Sequence, residues 1–93
     1  MIALLARLNV AEGKESEFET VMLELAAQVR ANEPGNQLYT LVKDDDGYAV
    51  MELYAEEEAL AAHGSSDHFK AAGAKFAGLM AGRPDIKRFE VVG

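Results

Sequence analysis

The chain has only two histidines, His63 and His68, and both fall in the stretch EALAAHGSSDHF, residues 58–69. An imidazole is the side chain best suited to take and return a proton near neutral pH. His63 follows Leu60 by three residues and Ala59 by four, so on a helix it shares their face. If Leu60 faces a core, His63 faces it too. His68 directly precedes Phe69 and is turned about 100° from it, toward a rim or solvent. Two roles remain open for His63: a buried histidine hydrogen-bonded to backbone at a helix break, or an acid–base group lining a pocket. His63, Asp67 and His68 together offer three metal donors, but their spacing matches no zinc signature. Asp44, Asp45 and Asp46 precede Gly47 without the closing glutamate of a calcium loop, so they read as a turn. No metal and no other cofactor is expected. Tyr39, Tyr48 and Tyr54 are aromatic with a polar tip, and each reads either as packing with a satisfied hydroxyl or as a ring-orienting contact.

The elements that must position these groups alternate in type. IALLARLNV, residues 2–10, is a nearly continuous apolar run that reads as a strand. Ile2, Leu4, Ala6, Leu8 and Val10 lie on one face. Ala3, Leu5, Arg7 and Asn9 lie on the other, with Arg7 and Asn9 placed to bond Glu52 or Glu90 of neighbouring strands. Phe18, Val21, Met22, Leu25, Ala26 and Val29 recur at helical spacing, and Pro34-Gly35 ends that helix. Leu38–Lys43 and Tyr48–Tyr54 read as a hairpin around an Asp-Gly turn. A short helix, EEEALAAHG, leads to a longer one running from Ser65 to Gly82, capped by Ser65 or Ser66. Its inner stripe is Phe69, Ala72, Gly73, Phe76 and Met80. Met22, Met51 and Met80 read as core filler. IKRFEVV is the last strand. The order β-α-β-β-α-α-β predicts one α+β domain over residues 1–93, a ferredoxin-like sandwich with helices on one face. The first strand is apolar on both faces, so a second copy is expected against the outer face, giving a homodimer.

Composition narrows the partners. The 93 residues are 49% hydrophobic, enough for one packed core. Sixteen acidic against nine basic residues give a formal charge of −7, which disfavours nucleic acid and anionic membranes. The chain has no cysteine, so it has neither a disulfide framework nor a thiol nucleophile. MIALLARLNV lacks the basic and long apolar regions of a signal peptide, and a cytoplasmic location is expected.

These features converge on a known family. The opening strand followed by AEGKESEF resembles the antibiotic biosynthesis monooxygenases. So does the segment from NQLYTLVKDDDGYAVMELYA through EEEALAAHGSSDHFKAAGAKFAGLMAG. The most specific part is the pattern Glu58, Ala59, Leu60, His63, Ser66, His68 and Phe69. The resemblance implies a dimeric α/β barrel with a small-molecule pocket between each sheet and its helices. It also implies cofactor-independent oxygenation of a quinol- or anthrone-like aromatic by dioxygen. On that reading His63 is catalytic, Tyr39 or Tyr54 orients the ring, and Leu4, Ala6, Leu8, Phe69 and Phe76 form apolar walls. The alternative within the same fold is a non-catalytic small-molecule-binding or stress-associated dimer. The haem-degrading branch places asparagine, tryptophan and histidine where this chain has Ala6, His63 and Gly73, which argues against haem chemistry. A tryptophan common at the end of the third strand is Tyr54 here.

Overall fold

The computed structural model describes residues Met1–Gly93. Its elements are β1 (Ile2–Leu8), α1 (Glu15–Asn32), β2 (Asn36–Asp44), β3 (Gly47–Tyr54), α2 (Glu57–Ser65), α3 (Asp67–Phe76) and β4 (Asp85–Glu90). The four strands form one antiparallel sheet in the order β2-β3-β1-β4. This is the ferredoxin-like α+β sandwich. The β2–β3 hairpin turns where Gly47 takes φ 113°, a conformation that residues with a Cβ avoid.

Register decides which side chains meet the helices. Leu4 lies opposite Glu52, Ala6 opposite Val50 and Leu8 opposite Tyr48. Tyr39 lies opposite Glu52, and Ile86 opposite Ala6. Side chains alternate faces along a strand, so this set shares the helix-covered side. Phe18, Met22, Leu25, Ala26 and Val29 of α1 are buried against it, with Ala6, Tyr39, Tyr48 and Val50 in the same core. The Phe18 ring packs on Tyr48 and Phe76 at 4.9 and 5.6 Å.

Three local expectations change. The last helix stops at Phe76, well before Gly82. Gly78 adopts φ 83° and the chain turns back, so that Met80 bridges Val10 and Ala81 N–H donates to the Asn9 carbonyl. Pairing with the end of β1 thus replaces two further helical turns, and Leu79 becomes a core residue. Arg7 donates both guanidinium nitrogens to Asp44, at 2.8 and 2.7 Å, and Asn9 bonds the Arg83 carbonyl. Neither reaches Glu52, which points to the opposite face. Met51 is not core filler: it is 44% exposed on the uncovered side of the sheet. Leu38 and Phe89 share that face by register and are also exposed.

No helix is long and apolar enough to cross a membrane.

Candidate functional site

A cavity of about 390 Å³ lies between the sheet and the helices. Leu4, Ala6, Leu8, Tyr39, Phe69 and Phe76, all expected around a substrate, border it, and so does His63. Tyr54 does not. It is fully buried behind His63, with ring centroids 5.5 Å apart, and its hydroxyl donates to Glu52 Oε1 at 2.6 Å. It supports the wall from outside.

The corner that holds His63 is built by Ser66. This residue ends α2 and caps α3 with an extended backbone, φ −69° and ψ 151°. Its hydroxyl donates to the His63 carbonyl at 2.7 Å and accepts the Phe69 N–H at 3.2 Å. One side chain therefore satisfies the end of one helix and the start of the next. Gly35 sets how closely α2 approaches: a Cβ there would come 2.4 Å from the Ala59 Cβ.

The ring of His63 is buried and packed among Tyr39, Tyr54 and Phe69, with centroids 5.3, 5.5 and 4.8 Å away. Its partner is not backbone. Nδ1 lies 2.9 and 3.1 Å from the two carboxylate oxygens of Glu33. Glu33 follows α1 and immediately precedes Pro34, which disfavours a helical conformation in the residue before it. Its backbone accordingly leaves the helix at φ −117°, ψ 90°. His68 also turns to this carboxylate, its Nε2 2.5 Å from Glu33 Oε2. It is thus largely covered, not in solvent as its helical phase suggested.

A carboxylate accepts hydrogen bonds and cannot donate them. Facing Glu33, the neutral His63 ring carries its proton on Nδ1 and keeps a lone pair on Nε2. Every side-chain nitrogen or oxygen that is sealed from solvent has a hydrogen-bond partner. His63 Nε2 has no hydrogen-bond partner and is not sealed from solvent, and His63 is one of the residues that border the cavity. Glu52 and Tyr39 border the cavity as well, and neither the second Glu52 oxygen nor the Tyr39 hydroxyl has a hydrogen-bond partner. The lining of an apolar chamber thus includes an imidazole, a carboxyl and a phenol. Burial pushes the Glu52 carboxyl above its ordinary range, while the Tyr54 hydrogen bond pulls it back. Burial also raises Tyr39, with the Glu52 and Glu33 charges adding to the effect, so this phenol stays a donor at neutral pH. Tyr48 lies outside the cavity lining. Its hydroxyl donates to Glu19, which pushes it up to about 12.

Glu33 and Glu52 escaped the sequence reading as site residues. Glu52 had a signal, because it holds an inward position in the alternation of Tyr48, Val50, Glu52 and Tyr54. Glu33 had none, since it is 30 positions from its partner.

Cavity, sheet and helix corner together define a ferredoxin-like domain with an apolar cavity between its layers. Residues 1–75 match the family model for antibiotic biosynthesis monooxygenases, and the chain belongs to that family. Its fold is similar to that of a Caulobacter crescentus protein provisionally named an antibiotic biosynthesis monooxygenase. That protein is 47% identical, with a TM-score of 0.95 over 99% of this chain and 90% of that one. A Nitrosomonas europaea protein of the same provisional name matches over 100% of both chains at 21% identity and a TM-score of 0.91. Rv0793 of Mycobacterium tuberculosis matches 99% of this chain and 95% of its own at 21% identity and 0.89. The last two similarities bear on the fold alone. No curated protein matches the chain.

Proposed function

We propose that the protein is a cofactor-independent monooxygenase of a quinol- or anthrone-like aromatic, with His63 as the catalytic base. The observation that carries this reading is the free Nε2 of His63 in an apolar cavity, with Glu33 holding Nδ1. Dioxygen is a triplet and reacts slowly with closed-shell molecules, but an electron-rich carbanion or phenolate can pass it one electron. The protein's task is then to make and hold the anion.

For an anthrone-like methylene, His63 Nε2 removes one C–H proton. The anion gives an electron to dioxygen, and the resulting carbon radical and superoxide combine into a C–O bond. His63 returns its proton to the peroxide. Loss of the second C–H proton then forms the carbonyl, breaks the O–O bond and expels hydroxide, which is protonated to water. The sum is R₂CH₂ + O₂ → R₂CO + H₂O. Tyr39, kept protonated, donates to the oxyanion. The free oxygen of Glu52 accepts a second substrate hydroxyl. Leu4, Ala6, Leu8, Phe69 and Phe76 exclude water and hold the rings, and Tyr54 keeps Glu52 in place. The working form is a homodimer, because Met51, Leu38 and Phe89 form an apolar outer face that a second copy would cover.

The test is oxygen uptake with a panel of quinols and anthrones, corrected for autoxidation. Protein-dependent uptake that disappears in His63→Gln supports the reading. Tight binding of the panel without uptake would assign the cavity to a non-catalytic binding role instead.

A further inference from the structure

We propose that Glu33, His63 and His68 form a binding site for a divalent transition-metal ion of the Zn²⁺ type, and that its occupation inverts the tautomer of His63.

The three residues come from the end of α1, from α2 and from α3, and their donor atoms lie within 4.8 Å of one another. Two imidazole nitrogens and a carboxylate oxygen are the donor set that zinc and its neighbours prefer. His63 Nδ1 and His68 Nε2 both approach the same oxygen, Glu33 Oε2, at 2.9 and 2.5 Å. Bonds of about 2.0 Å in a tetrahedral zinc site place donors about 3.3 Å apart. Small outward movements of both imidazole rings, the larger for His68, therefore make room for an ion where the two hydrogen bonds now run. The side from which an ion would approach is that of His68, which borders a groove between α1 and α3 that also carries Glu24 and Asp67. The group differs from the trio suggested by sequence proximity: Glu33 replaces Asp67, which is not part of the cluster.

The consequence follows from the chemistry of imidazole. A neutral ring bound to metal through Nδ1 must carry its proton on Nε2. The atom facing the cavity then changes from acceptor to donor. Zinc would hold the helix corner together while removing the base, and so would inhibit oxygen uptake. The inhibition, unlike the binding, rests on the proposed oxygenase activity.

The deciding experiment uses the full chain and Zn²⁺ alone. Calorimetry should show one ion per chain, weakened at least about 100-fold in His68→Gln, since even partners one step removed from a metal contribute 10–100-fold to affinity. Nitrogen-15 histidine spectra of the wild type should show the His63 proton moving from Nδ1 to Nε2 as zinc is added. Equal zinc binding by wild type and His68→Gln would assign the ion to surface carboxylates and overturn the site. So would histidine spectra unchanged at saturating zinc, a readout that holds even if His68→Gln folds poorly. If the spectra show zinc on Nδ1 while no quinol oxidation is found at all, the site stands and the oxygenase reading falls.

Discussion

Replacing His63 separates its chemical role from its packing role, because the two depend on different ring nitrogens. His63→Gln keeps an amide N–H within reach of Glu33 but removes the titratable Nε2. His63→Phe fills the space among Tyr39, Tyr54 and Phe69 but takes a donor from the buried Glu33 carboxylate. A hydrogen bond to a charged group contributes about 1.5–3 kcal/mol. For a domain of this size each kcal/mol moves the melting temperature by about 4–8 °C. His63→Phe should therefore melt about 6–24 °C below the wild type, and His63→Gln within a few degrees of it. A positioned acid–base group contributes about 10²–10⁴-fold to rate. His63→Gln should accordingly lose at least about 100-fold in kcat/KM for quinol oxidation, with its fold retained. The assays are calorimetric melting and autoxidation-corrected oxygen uptake on the same preparations. Small and equal losses of activity in His63→Gln and His68→Gln would refute the assignment of the base. Unchanged activity per folded molecule, with a large drop in melting temperature, would show that the ring serves only the fold.

Glu52→Gln keeps an acceptor for the Tyr54 hydroxyl while removing a carboxyl whose folded pKa is raised by burial. Such a group stabilises the fold while protonated and loses that contribution as the pH rises through its folded pKa. The variant should therefore gain melting temperature relative to wild type as the pH rises above about 4, the ordinary carboxyl range, and a difference independent of pH would count against a buried carboxyl there. Gly35→Ala places a methyl group against Ala59 and should destabilise by about 1–3 kcal/mol, read by denaturant unfolding. Its quinol KM should also change as α2 and His63 shift. Met51→Asp puts a charge on the outer sheet face, and sedimentation should show a monomer where the wild type gives a dimer. A monomeric wild type would remove the premise.

Local chemistry was legible from the residues alone. The stripe of Phe18, Met22, Leu25 and Val29, the Asp-Gly hairpin and a serine cap at Ser65 or Ser66 each depend on neighbours within a few positions, and all three stand in the structure, with Ser66 as the cap. From them follow the element order, the four-stranded sheet and the inward face of His63. The end of the last helix was not legible, because Leu79 and Met80 are drawn into pairing with Ala11 and Val10, some 70 positions away. The partner of His63 was hidden for the same reason. In the sequence Glu33 is one more acidic residue beside a proline, and only the approach of α2 to the segment that follows α1, where Ala59 meets Gly35, brings His63 to it. Glu52 lay between these cases: its alternation pointed inward, but cavity and core have the same periodicity. Periodicity tells which way a side chain faces. Which distant side chain meets it, and whether space is left between them, is decided by how helices and sheet close on one another.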